Sequence, residues 1–113
     1  MEREEEIAED RARALLAMSL ASYALDVPLS KVMGGARDPR SALARMAAMY
    51  VAHVAFGMNT TRVGFAFGRD RSTVTYACRL MEDRRDDARF DRWMEALEQS
   101  VQAAPAPFKG RAA

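Results

Sequence analysis

The sequence contains one cysteine, Cys78, and one histidine, His53, among 113 residues. An internal disulfide is therefore excluded, and no set of soft ligands exists for a structural zinc. His53 has no acidic or nucleophilic partner at a suggestive spacing, so no catalytic constellation is assembled around it. No glycine-rich phosphate loop ending in Lys-Ser or Lys-Thr is present. The expected protein is not an enzyme, needs no cofactor and is held together by burial alone. Uncharged runs fall short of the roughly 20 residues of a bilayer span, so no membrane partner is expected. The chain opens on acids instead of a basic region ahead of an apolar stretch, which argues against a secretory signal and for a cytoplasmic location.

Charge of either sign is nearly balanced, at +1 overall, but it is unevenly placed. Residues 1–10 carry six acids against Arg3, whereas residues 31–79 carry Lys31 and seven arginines against Asp38 and Asp70. An acidic start thus precedes a basic middle with a balance of +6. Clustered cations are what phosphate neutralisation requires, whatever the total charge.

The length suits one domain. A first helix is expected over about residues 3–25, with Glu2, Glu4, Glu5 and Glu6 near the positive end of its dipole and Leu16, Leu20, Tyr23 and Val27 as its apolar stripe. Val27-Pro28 breaks it, Leu29 to Met33 makes one short turn, and Gly34-Gly35 opens an exposed basic loop to Asp38. Asp38-Pro39 reads as an N-cap followed by proline at the first helical position, with Gly57 as the stop. That long helix places Leu43, Met46, Ala47, Tyr50, Val51 and Val54 at core spacing and is expected to be the most buried.

Asn59-Thr60-Thr61 caps a brief helix ending near Phe67, Gly68 supplies a tight turn, and Asp70 and Ser72 cap a further helix to about Arg84. Two short helices across a glycine turn make a helix-turn-helix over about residues 60–84. The second has Val74, Ala77, Cys78 and Met81 on one face and Ser72, Thr75, Tyr76 and Arg79 on the other. Cys78 reads as a small hydrophobe, and the eight methionines as flexible core filler with some aptitude for partner surfaces. Phe90, Trp93, Met94, Leu97 and Val101 mark a last amphipathic helix. Residues 1–102 are expected to form the domain, and 103–113 a flexible tail.

Phe67-Gly68-Arg69-Asp70-Arg71-Ser72-Thr73-Val74, followed by Ala77-Cys78-Arg79, resembles the signature of the DNA-binding domain of the bacterial replication initiator DnaA. The family's usual form is Gly-Gly-Arg-Asp-His-Thr-Thr-Val with Ala-Cys-Arg soon after. Upstream, Val63-Gly64 and Ala66-Phe67 resemble the first helix of its helix-turn-helix, and Arg37 and Arg45 fall where it carries arginines. The resemblance, over roughly residues 15–100, implies an all-α fold like that of DnaA domain IV, with a central helix-turn-helix. It implies major-groove contacts by Asp70, Arg71 and Ser72 and a minor-groove contact by Arg37.

An α-helix fits the major groove, and a bidentate arginine reads guanine O6 and N7. Thr60, Thr61 and Thr73 suit phosphates, and Arg45 and Arg79 add charge to that grip. Single Gly68, Arg71 and Ser72 depart from the family pattern, so the initiator's own recognition box is not assumed. The implied function is sequence-specific binding of double-stranded DNA at the nucleoid, in regulation of transcription or of replication initiation. A different class stays open: an adaptor that binds a replication-regulatory ATPase and modulates the initiator, for which the acidic run Glu2 to Asp10 is the best hook. That run equally suits a solvated helix start or a repeller of DNA.

Overall fold

A computed structural model describes residues 2–112. Six helices follow one another: α1 (Glu2–Leu25), α2 (Leu29–Met33), α3 (Pro39–Val54), α4 (Thr60–Phe67), α5 (Arg71–Arg84) and α6 (Ala88–Ala103). No strand occurs among the described residues. Residues 104–112 have no regular helix and are mostly exposed. The outer limits expected for domain and tail, residues 1 and 113, lie outside the described residues.

The helix ends follow from local chemistry. Asp38 and Asn59 accept hydrogen bonds from the N–H groups of Ser41 and Arg62, at 3.1 and 2.9 Å, and so cap α3 and α4. Asp87 caps α6 through the N–H of Arg89 and of Phe90. α1 closes on Asp26 in the left-handed region, at φ 53, a conformation that aspartate tolerates better than most residues. Arg40 donates from Nε and Nη2 to the last helical carbonyl, that of Leu25. α3 stops at Val54, with Gly57 at φ 67 completing the turn away from it.

The core is built around α3, as its pattern predicts, but it reaches further round that helix than the stripe of large residues. Ala44, Ala48 and Ala52 are as fully enclosed as Ala47 and Val51. α1 departs more from expectation. Its inward face is Ala14, Ala17, Met18 and Ala21, while Leu16 and Leu20 are only partly buried and Tyr23 is 86% exposed. Val54, expected in the α3 stripe, is also exposed. The physical reason is close packing: alanines on both helices present no side chain beyond Cβ, so α1 and α3 approach along their small residues and the bulky ones flank the seam. Met81 of α5 and Met94, Leu97 and Val101 of α6 complete this core.

A second cluster, Met49, Ala52, Met58, Val63, Val74 and Ala77, lies between α3 and the helix-turn-helix. The turn itself depends on two glycines. Gly68 takes φ 66 and ends α4 with its N–H on the carbonyls of Gly64 and Phe65. A Cβ on buried Gly64 would fall 2.6 Å from the carbonyl oxygen of Arg69, so α4 meets the turn at a distance only glycine permits.

Candidate nucleic-acid interface

α5 separates its two faces cleanly. Val74, Ala77 and Met81 are buried, while Arg71, Ser72, Thr73, Thr75, Tyr76 and Arg79 are exposed. Cys78 is half-buried, and burial together with the nearby Glu82 pushes its thiol up to about 11, in keeping with a packed, unreactive side chain. Arg71, Ser72, Thr75, Tyr76 and Arg79 recur at i, i+1, i+4, i+5 and i+8 and share one outward stripe. Thr73 lies one residue round from it. Among the described residues no terminal segment covers Tyr76, which is 61% exposed.

Asp70 occupies the cap position of α5, where the nearby Ser72 and Arg71 N–H groups help to lower its carboxyl, but its carboxylate makes no capping hydrogen bond. It accepts instead from the Ser72 hydroxyl, and this bond is the main reason that its carboxyl is held below the ordinary aspartate range. The expected double cap by Asp70 and Ser72 is thus a bond between the two side chains. Arg71, Ser72 and Thr73 carry first-turn N–H groups with no intrahelical acceptor, and no side chain caps them. α3, α4 and α6 are capped; α5 is left open at the end that carries the motif. An open helix start favours anions.

The basic loop adjoins this end. Arg69, in the turn, reaches it: its Nη2 lies 3.1 Å from where a Cβ on Gly35 would stand. The loop bearing exposed Arg37 is thereby set beside the start of α5. Arg45 shapes that loop from below, donating from Nε to Val32 O at 3.0 Å and from Nη2 to Lys31 O and Ala36 O at 3.3 and 2.8 Å. Burial, and then the charge of Arg69, lower its pKa, yet a guanidinium keeps its proton. Arg45 therefore contributes loop shape and field, with little of its donor set left for a ligand. Thr61 is exposed and Thr60 half-buried at the start of α4.

Sequence reasoning passed over two arginines. Arg62 is bound bidentately by Asp10, at 2.9 and 2.7 Å, with Glu6 near by. One acid of the expected solvated run is therefore buried in an internal pair, and one cation of the basic middle is already neutralised. No local signal marks residues 52 apart as partners. Arg69 did have a signal, because it lies within the Gly68-Arg69-Asp70 motif. Among the described residues, Arg37, Arg69, Arg71 and Arg79 take part in no ion pair with an acidic group.

No group of three or more metal-ligating side chains occurs among the described residues. His53, half-buried, donates from Nδ1 to the carbonyl of Met58 at 2.6 Å and so serves the α3–α4 connection. No described helix is long and apolar enough to cross a membrane.

Residues 18–80 match the family model described as the bacterial dnaA protein helix-turn-helix. The chain is similar to chromosomal replication initiator protein DnaA 2 of Chlamydia pneumoniae, with 39% identity over 56 residues, covering 50% of this chain and 12% of that protein. It is similar to the chromosomal replication initiator protein DnaA of Tropheryma whipplei, with 34% identity over 58 residues, covering 51% of this chain and 12% of the relative. The chain thus spans about an eighth of the length of these relatives. A crystal structure of a DNA replication initiation factor superposes with a TM-score of 0.77 at 24% identity, covering 89% of this chain and 31% of the other, a likeness of fold.

Proposed function

Since the chain belongs to the family of the bacterial DnaA helix-turn-helix, we propose that it is a sequence-specific binder of double-stranded DNA that regulates transcription or replication initiation. α5 enters the major groove by its N-terminal half, and Arg71 reads a guanine edge, with Asp70 and Ser72 beside it. Arg37 occupies the adjacent minor groove. Thr60, Thr61, Thr73 and Arg79 hold phosphates, as do the free N–H groups at the start of α5. Thr75 and Tyr76 extend the contact along the groove.

One observation carries this reading: Arg69 and Arg71, with Arg37 on the adjoining loop, lie about the start of α5, Arg79 stands two turns further along its exposed stripe, and none of the four is paired with an acid among the described residues. The test is selection of bound fragments from random duplex DNA, followed by a salt series on the selected site. Arg71→Ala is expected to weaken that site about tenfold or more and to relax preference at one or two base pairs. Arg79→Ala should weaken all duplexes alike and flatten the salt dependence. Equal loss on every duplex for Arg71→Ala overturns its assignment to a base.

The adaptor reading is favoured by a separate surface. Leu15 and Tyr23 of α1 are 45% and 86% exposed, on a helix other than the one that carries the motif. On that reading a replication-regulatory ATPase is the partner, and binding survives when Arg37 and Arg71 are both alanine. A pull-down with a duplex-DNA control separates the two.

A further inference from the structure

At its far end α5 enters a polar cluster that the DNA-reading stripe does not use. Tyr50 of α3, 3% exposed, donates from its hydroxyl to Glu82 Oε2 at 2.5 Å. Arg85, the residue that ends α5, donates from Nη1 to the same hydroxyl at 3.2 Å and to Glu98 Oε1 of α6 at 3.0 Å. Its Nε meets Asp91 Oδ1, also of α6, at 2.6 Å. The Arg85 and Glu98 side chains are 19% and 20% exposed. Three helices therefore converge on one guanidinium and one phenol, whose proton is secured by a pKa pushed up to about 12, through burial first and the Glu82 bond second.

The arrangement is more directional than apolar packing. Val74, Ala77 and Met81 bury one side of α5, but hydrophobic contact is non-directional and specifies its tilt less sharply than oriented polar bonds do. A planar guanidinium held by two carboxylates and a hydroxyl fixes orientation. The lever is long: at 1.5 Å per residue the helix runs about 20 Å, so a tilt of about 5° at Arg85 moves its start by nearly 2 Å. A displacement of that size breaks a bidentate base contact, while flexible side chains still reach phosphates.

We propose that Tyr50 and Arg85 are positioning residues which, with Glu82, Asp91 and Glu98, set the tilt of α5 and so the sequence specificity of a surface they never touch. This rests on the DNA-binding reading above. The test uses the full chain with Tyr50→Phe, which removes only the hydroxyl, and with a neutral set, Arg85→Met with Asp91→Asn and Glu98→Gln. The ratio of affinities for the selected duplex and an unrelated one should fall about tenfold in both, with affinity for the unrelated duplex and its salt dependence unmoved in Tyr50→Phe, which keeps the net charge. A ratio equal to the parent's in folded Tyr50→Phe overturns the proposal. Distances between spin labels at Thr73 and Arg92, in a Cys78→Ala background, supply a readout without DNA. They should broaden by about 2 Å when Tyr50 loses its hydroxyl, and an unchanged distribution also overturns the proposal. A parent that binds all duplexes alike defeats the DNA reading, and the label distances then still decide whether the cluster sets the tilt.

Discussion

The two ends of α5 are built on opposite principles. At Arg85 the guanidinium Nε and Nη1 face acceptors of the same chain, and three helices share the bonds. At Arg71 the helix has no side-chain cap, its arginine has no acidic partner among the described residues, and its side-chain bonds are local, from the Ser72 hydroxyl to Asp70 and from the Thr75 hydroxyl to the Arg71 carbonyl. A helix satisfied at one end and unsatisfied at the other is suited to present groups to a ligand from a fixed base. Substitutions near the closed end, or in its supports, should therefore appear as lost stability or altered geometry. Those at the open end should appear as lost binding on an intact fold.

The sharpest way to break that contrast is at Gly64, which supports the open end from behind. Adding a methyl group there meets the Arg69 backbone, which cannot swing aside as a side chain would. Overpacking of this kind costs up to about 3 kcal/mol, and the helix propensity gained by replacing glycine offsets about 1. Gly64→Ala is expected to lose about 2 kcal/mol in urea unfolding and to abolish duplex preference, because it moves the turn carrying Arg69 and Asp70. A stable variant with parental preference would remove the close approach from the account of the site.

How much of this was open to sequence reasoning depends on the range of the interaction. Caps are local: Asp38 and Asn59 stand three residues from the N–H groups they accept, and the glycine turn at Gly68 is one residue wide. The helix boundaries and the helix-turn-helix are legible for that reason. The outward stripe of α5 is legible because its reverse side carries Val74, Ala77 and Met81 at helical spacing. The α1 face is not, since alanine is nearly neutral in hydropathy, and Tyr23 outweighs Ala14, Ala17 and Ala21 in any periodic count while lying in solvent. Tyr50 reads as one more core aromatic, although its hydroxyl meets groups 32 and 35 residues away. Nothing near Arg45 in sequence says that its guanidinium gathers three carbonyls of the loop.

Asp10 tests whether geometry or internal satisfaction is what matters. Its partner Arg62 stands in the first turn of α4, beside Thr60 and Thr61 of the proposed phosphate grip, yet is bonded within the chain like Arg85. Internal satisfaction predicts that Asp10→Asn costs about 1 kcal/mol of stability, discounted because the Arg62 side chain is 35% exposed, and leaves duplex preference intact. Lost preference with unchanged stability would mean that position alone assigns a residue to the interface.

The smallest effect separates two aspartates at helix starts. The carboxyls of Asp87 and Asp70 are both held below the usual range, the first chiefly by backbone N–H groups of α6 and the second chiefly by the Ser72 hydroxyl. A carboxyl whose folded pKa is depressed stabilises the fold above its unfolded value, about 3.9, and that contribution is lost as pH falls through the folded value. Asp87→Ala should therefore lower the Tm at pH 7, and its difference from the parent should close in acid below the range of an ordinary aspartate. Asp70→Ala should shift the Tm less at every pH, because its carboxylate is held chiefly by a hydroxyl and only secondarily by the first N–H groups of α5, while still reducing binding to the selected duplex. If thermal scans across pH instead give Asp70→Ala the larger stability loss, the start of α5 is closed in the same sense as that of α6, and the contrast between the two ends of the helix does not hold.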